Sequence, residues 1–158
     1  MADSIRQQLV DLVIAAVEDI DGTGSYQTSI GTTVTDWGLN FQEDELPAVS
    51  VCDTSETVID DGKGEGYGEV FDLMRLDVQI RIQFRASDRP GDCRLAIADV
   101  LTALRGNERW NNGTTDLALA TDFKSAQFIL DEEKFLIAAA AVDIQIFYRT
   151  RKFNAFSQ

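Results

Sequence analysis

Two acidic clusters and one glycine-rich stretch hold the residues whose types and spacing could do chemistry. Glu43-Asp44-Glu45 and Asp131-Glu132-Glu133 each place three carboxylates in a row, and carboxylate oxygens are the ligands that hard cations prefer. Neither cluster has the spaced oxygens and the glycine of a calcium-binding loop. We therefore expect both clusters to be solvated turns, and we expect no metal site and no cofactor.

Residues 62–68 read Gly-Lys-Gly-Glu-Gly-Tyr-Gly and are a candidate phosphate-binding loop. They lack the Gly-Lys-Ser/Thr ending of a P-loop. They also precede a predicted strand, whereas the dinucleotide fingerprint follows a strand and opens a helix. The stretch therefore predicts a flexible hairpin over residues 61–69.

Histidine is absent from the sequence, which removes the usual general base near neutral pH and any Ser-His or Cys-His nucleophile pair. Cys52 and Cys93 are isolated, and we expect small buried residues, not a disulfide. The preferred interpretation is a protein that is not an enzyme. Single carboxylates such as Glu69, Asp77 and Asp143 keep an alternative open, a small α+β domain that binds or converts a ligand.

The elements that would position these residues begin with two long strands. Residues 74–85 alternate apolar and polar side chains without interruption, and residues 140–149 nearly repeat the pattern. Side chains of a strand point to opposite faces with period two. Each run therefore predicts a strand with one buried and one wet face, within 70–85 and 135–152. Shorter strands are predicted at 48–52, continuing over 56–60, and one or two at 117–130.

Two helices complete the predicted fold. Residues 4–20 carry an apolar stripe at helical spacing behind Ser4, a good capping residue. A second helix is predicted to open with Asp88 as cap and Pro90 in its first turn; its predicted buried stripe is Leu95, Ile97, Val100, Leu101 and Leu104. Residues 25–47 are predicted as an irregular acidic segment or a short strand pair. The chain is then one α+β domain over 1–158, in the order α-β-β-β-α-β-β. Its antiparallel or mixed sheet has both helices on one face, and residues 153–158 form a tail.

The net charge of −13 is unevenly distributed. Residues 1–60 contain twelve acidic residues and one basic residue, while residues 61–158 contain fifteen acidic and thirteen basic residues. Tight binding to nucleic acid needs Lys and Arg, so we expect none. No apolar run approaches the roughly 20 residues of a membrane span, and no basic segment precedes an apolar one at the N-terminus. We expect a protein made in the cytosol that spans no membrane.

Arginines on the predicted sheet suggest an interface between copies. If the two long strands pair, five arginines share one sheet surface, which could meet the acidic first third of a neighbouring copy. Exposed ion pairs contribute little singly, so apolar side chains must supply much of the affinity. The predicted interface residues are Arg75, Arg81, Arg85, Arg149, Arg151, Asp36, Glu43, Asp44, Glu45, Trp37, Phe41, Phe153 and Phe156.

Four short segments resemble the tail terminator, or tail completion, proteins of long-tailed bacteriophages. They are residues 5–10 (IRQQLV), 46–51 (LPAVSV), 95–101 (LAIADVL) and 148–151 (YRTR). The resemblance implies a virion protein assembled in the host cytoplasm, whose hexameric ring caps the tail tube, stops tube polymerisation and joins the tail to the head or neck. Its implied partners are its own copies, the tail tube protein and a head-tail connector, while DNA passes through the ring without specific binding. A different neck or minor tail component of the same fold is the related alternative.

Overall fold

The computed structural model describes residues 3–38, 40–60, 71–133 and 136–151. The glycine-rich stretch predicted as a hairpin over 61–69 and the tail over 153–158 lie outside the described residues. The described elements are α1 (Ile5–Glu18), a 3-10 turn (Ile30–Thr32), β1 (Val34–Asp36), β2 (Ala48–Asp60), β3 (Phe71–Gln83), α2 (Pro90–Leu104), β4 (Ala120–Asp131) and β5 (Leu136–Arg151).

The five strands form one mixed sheet in the order β1-β2-β3-β5-β4. β1 runs parallel to β2, and every other neighbouring pair is antiparallel. The two helices, the mixed sheet and the element order confirm the predicted α+β class. The two edges of the sheet differ greatly, since β1 has 3 residues and β4 has 12.

The strand alternation places the core where it was predicted. In the β3–β5 register, Val78 lies opposite Ile144 and Ile80 lies opposite Val142, and all four side chains are buried. They face α1 and α2, and we call this side of the sheet the helix face. The odd-numbered residues of β3 and those of β5 from 139 to 151 point to the other side, which we call the open face.

β2 is one continuous strand of 13 residues that joins the two predicted segments 48–52 and 56–60. A register shift between Asp53 and Ser55 moves the ladder by one residue, as a β-bulge does. Within the segment predicted as irregular or a strand pair, the structure has the 3-10 turn and β1.

α1 begins as predicted, because the Ser4 hydroxyl accepts a hydrogen bond from the Gln7 backbone N–H at 3.1 Å. Its buried stripe includes Leu9, Val13 and Val17, which are fully buried. The chain then approaches the helix end closely at Gly31. A Cβ at that position would lie 2.5 Å from the Glu18 carbonyl oxygen, so only glycine fits there.

α2 differs from the prediction in its cap and in its buried stripe. The capping residue is Arg89, whose backbone N–H donates to the Asp92 carboxylate at 3.3 Å, while Asp88 instead accepts from the Arg85 backbone N–H at 2.8 Å. Leu95 and Leu101 were predicted to be buried, but they are 43% and 37% exposed. Val100 is fully buried as predicted, and Ile97 and Leu104 are partly buried against the core. The small residues Cys93, Ala96 and Ala103 complete the buried face.

Candidate interaction surface

The open face carries polar side chains that are paired across the β3 and β5 strands. Asp77 lies directly opposite Gln145, and Gln79 lies directly opposite Asp143. Gln145 Nε2 donates to Asp77 Oδ1 at 2.6 Å, and Gln79 Nε2 donates to Asp143 Oδ1 at 2.9 Å. Directly opposite residues are the unit of sheet stabilisation, so these two pairs stabilise the centre of the sheet.

The outer strands extend this network. The Ser55 hydroxyl on β2 donates to the second oxygen of Asp77, and the Ser125 hydroxyl on β4 donates to Asp143 Oδ2 at 2.6 Å. Burial alone raises the pKa of Asp77, but hydrogen bonds from Ser55 and Gln145, together with the Arg75 guanidinium, outweigh burial and lower the pKa. The carboxylates of the alternative enzymatic interpretation are therefore engaged in sheet hydrogen bonds. Glu69 lies outside the described residues.

Strand pairing brings four of the five predicted arginines to the open face: Arg75, Arg81, Arg149 and Arg151. Arg85 lies beyond the end of β3, in an exposed turn. Arg75 Nε is 3.4 Å from the Asp77 carboxylate, an ion pair within the face. Arg81 is half-buried, and its Nε has no hydrogen-bond partner among the described residues. Asp77 and Asp143 interleave with these arginines, so the face is mixed in charge, with a basic excess.

The predicted acidic partners lie at the β1 edge of the sheet. Asp36 ends β1, and Glu43, Asp44 and Glu45 form an exposed turn between β1 and β2. Burial, together with the nearby charges of Asp53 and Asp11, raises the pKa of Asp36. Among the described residues, no ion pair joins these four acids to the arginines of the open face.

Trp37 anchors the start of this acidic loop while leaving half of its surface exposed. Its indole Nε1 donates to Asp53 Oδ1 at 2.6 Å, and its side chain is 50% exposed. Arg6 of α1 also bonds to the Asp53 carboxylate, so one carboxylate ties the loop to the helix. Phe41 is partly buried beside Gly38. The other two predicted aromatic contacts, Phe153 and Phe156, lie outside the described residues.

The β4 edge is a feature that the sequence reasoning missed. β4 pairs with β5 on one side, and no described strand pairs with its other side. Large apolar side chains on it are exposed: Phe123 by 53%, Phe128 by 37%, Ile129 by 37% and Leu130 by 61%. The consecutive run Phe128-Ile129-Leu130 is the signal that could have revealed it, because such a run puts apolar groups on both faces of a strand.

The described residues offer shallow clefts and no cation site. One cleft of about 290 Å³ is lined by Phe71, residues 116–119 and Arg149, and neither Asp77 nor Asp143 lines it. Within the described part of the chain, no three thiol or carboxylate side chains gather as metal ligands. Nor is any helix in that part long and apolar enough to cross a membrane.

No protein-family model and no curated protein matches this sequence. Among solved structures, it is similar to a chain from the virion of a native gene transfer agent (GTA) particle. The two chains are 19% identical with a TM-score of 0.46, and the match covers 94% of this chain and 92% of that chain. A likeness at this level concerns overall shape, and it assigns neither a family nor a function to this chain.

Proposed function

We propose that this chain is a structural virion protein without catalytic activity. Its copies form a hexameric ring that caps a phage tail tube, ends tube polymerisation and joins the tail to the head or neck. The resemblance of residues 5–10, 46–51, 95–101 and 148–151 to tail terminator proteins supports the specific role, including the number of copies.

The observation that carries the assembly part of this proposal is the β4 edge. Natural proteins protect long sheet edges with charges, bulges or short strands, because an unpaired edge invites pairing with another chain. β4 has charged residues and two register shifts, but its 12 residues also carry four exposed large apolar side chains. Exposed apolar clusters of this kind mark interaction sites, so an assembled state in which β4 is covered is the favoured one.

The charge of the chain fits a ring through which DNA passes. A net charge of −13 repels phosphate, so the DNA would not be held at the ring. The arginines of the open face and the acidic turn at 43–45 are then left to join neighbouring copies. These contacts are heterologous, the kind that closes into rings when the rotation between copies allows it.

Light scattering and negative-stain microscopy of the purified protein test the proposal. We expect six-subunit rings, and we expect tubes of the matching tail tube protein to stop growing when the rings are added. The double variant Phe128→Asp, Leu130→Asp should shift the mass towards the monomer with its circular dichroism spectrum unchanged. Leu95→Asp, an exposed apolar residue of α2, is the matched control and should leave the mass unchanged.

Two outcomes separate the alternatives. A wild-type protein that stays monomeric both alone and beside the tube protein excludes the ring and returns attention to a small ligand-binding domain, whose site would be the cleft beside Arg149. Rings that form but do not limit tube length point to another neck or minor tail component of the same fold.

A further inference from the structure

The apolar end of β4 has a composition that defines what can cover it. Phe128 lies opposite Ala140 on the helix face, and Ile129 lies opposite Ala139 on the open face. The strand then runs directly into the acidic residues 131–133. A covering strand therefore needs apolar groups on both of its faces and a basic group at one end.

Residues 152–156 of this chain have that composition. They read Lys-Phe-Asn-Ala-Phe and directly follow Arg151, the last residue of β5. In an extended chain, Phe153 and Phe156 point to opposite faces, because two residues separate them and side chains alternate. Arg151 and Lys152 supply the positive charge at one end.

The tail of the same copy cannot reach this site. Ile129 lies beside Ala139, and β5 runs from there to Arg151 at about 3.3 Å per residue, a distance of about 40 Å. Residues 152–156 extend by at most about 18 Å. A tail that covers the apolar end of β4 must therefore come from another copy.

We propose that residues 152–156 of one copy add as a strand to the β4 edge of a neighbouring copy. The charges set the direction. With Lys152 at residues 131–133 and Phe156 opposite Phe128, the added strand runs antiparallel to β4. Phe156 then packs beside Phe128 on the helix face, and Phe153 lies diagonal to Ile129 on the open face. Main-chain hydrogen bonds supply affinity and the alternate side chains supply specificity in this mode of recognition.

This inference rests on the proposed function, because it names the contact through which the copies join. Each copy offers one tail and one β4 edge, so the contact is heterologous. It also covers an edge that would otherwise lead to uncontrolled pairing.

Disulfide trapping tests the register, using two variants that each carry one added cysteine beside the buried Cys52 and Cys93. Directly opposite residues of antiparallel strands have Cα atoms about 4.5–5.5 Å apart, within the range that a disulfide bridges. Mixing Phe128→Cys with Phe156→Cys should give a disulfide-linked dimer containing one copy of each variant. Mixing Leu119→Cys with Phe156→Cys should give none, since Leu119 is 47% exposed but lies before the start of β4, far from the proposed site. Equal trapping in both mixtures, or none in either, overturns the docking.

A labelled peptide of residues 151–156 provides a second measurement that does not depend on assembly. It should bind saturably to the double variant Phe153→Ser, Phe156→Ser and lose at least tenfold in affinity when Phe128→Asp is added. Full affinity for the Phe128→Asp protein would refute the site. Six-subunit rings that persist in the Phe153→Ser, Phe156→Ser protein overturn the docking and leave the ring function standing. Peptide binding to a protein that never forms rings supports the docking and overturns the ring function.

Discussion

The carboxylate of Asp99 accepts a hydrogen bond from the backbone N–H of Thr28 at 2.7 Å. Asp99 lies within α2, is 2% exposed, and also accepts from the Thr28 hydroxyl and the Gln27 backbone N–H. One side chain therefore satisfies three donors of the loop between α1 and the 3-10 turn, and this contact holds α2 against the N-terminal part of the chain.

Removing this carboxylate should destabilise the protein strongly. Asp99→Ala removes a buried carboxylate and leaves the donors of Gln27 and Thr28 without their shared acceptor, which we expect to lower the free energy of unfolding by about 3 kcal/mol. Urea denaturation followed by circular dichroism measures it. Asp122→Ala is the control, because Asp122 is exposed and forms an exposed ion pair with Lys124 at 3.6 Å; it should change stability by less than about 0.5 kcal/mol. An equal effect of the two substitutions would contradict this role.

Truncation to alanine should lower the free energy of unfolding more at Ile80, in the core of the sheet, than at Leu101, on the outer side of α2. Ile80 is fully buried, so Ile80→Ala should cost about 2–5 kcal/mol. Leu101 was expected to behave in the same way, but it is 37% exposed, and Leu101→Ala should cost less than about 1 kcal/mol. The same denaturation curves measure both variants, and a loss at Leu101 as large as that at Ile80 would show that the helix face is misassigned.

The lowered pKa of Asp77 should make the stability of the fold sensitive to acid. Its pKa is lowered in the folded protein from the ordinary value of 3.8, so the unfolded chain binds more protons as the pH falls to that value. The resulting stability is fully present above the ordinary pKa and is lost as the pH falls through the folded pKa. Below about pH 4, the unfolding free energy of Asp77→Asn should therefore fall less steeply than that of the wild type. Parallel slopes for the two proteins would exclude this linkage.

Asp36 should show the opposite sign. Burial, together with the charges of Asp53 and Asp11, raises its pKa in the folded protein, so its ionisation opposes folding as the pH rises through the folded pKa. Asp36→Asn should consequently be more stable than the wild type at pH 7 in thermal denaturation. A lower melting temperature at that pH would show that the charge of Asp36 serves a contact within the monomer.

Charge reversal on the open face should weaken assembly without unfolding the monomer. We expect Arg81→Glu, Arg149→Glu to reduce ring formation in light scattering, and wild-type assembly to weaken at high salt without vanishing. Mixing this variant with Glu43→Lys, Asp44→Lys should restore part of the assembled mass if the predicted partners meet. Arg94→Glu, on the exposed side of α2, serves as the control. Unchanged mass for the first variant would remove Arg81 and Arg149 from the interface.

The two long strands could be predicted because their alternation is uninterrupted. Residues 74–85 leave one assignment of buried and exposed faces, since a shift by one residue would expose the whole apolar set. The structure confirms that register at Val78 and Ile80. It also confirms the capping role of Ser4 and the burial of the free thiols of Cys52 and Cys93.

The parts that could not be predicted depend on partners distant in sequence. Leu95 and Leu101 were predicted to face the core because leucine is large and apolar. The smaller Ala96 and Ala103 are buried there, and helix periodicity alone does not show which of the two pairs faces the core. The role of Asp99 was not predicted, because its backbone partners lie 71 and 72 positions away in the sequence. The apolar β4 edge was hidden for a similar reason, since burial of a strand depends on which neighbours the topology supplies.

The unequal edges of the sheet have a consequence that polymer chemistry describes well. A monomer with two reactive ends extends a chain, whereas a monomer with one reactive end stops it. The β4 edge offers 12 residues in one strand, whereas the opposite edge is divided between the 3 residues of β1 and the part of β2 that lies beyond β1. If pairing uses the β4 edge alone, addition of one sheet to another halts after a single step. Any larger assembly then needs a second reactive group in each copy.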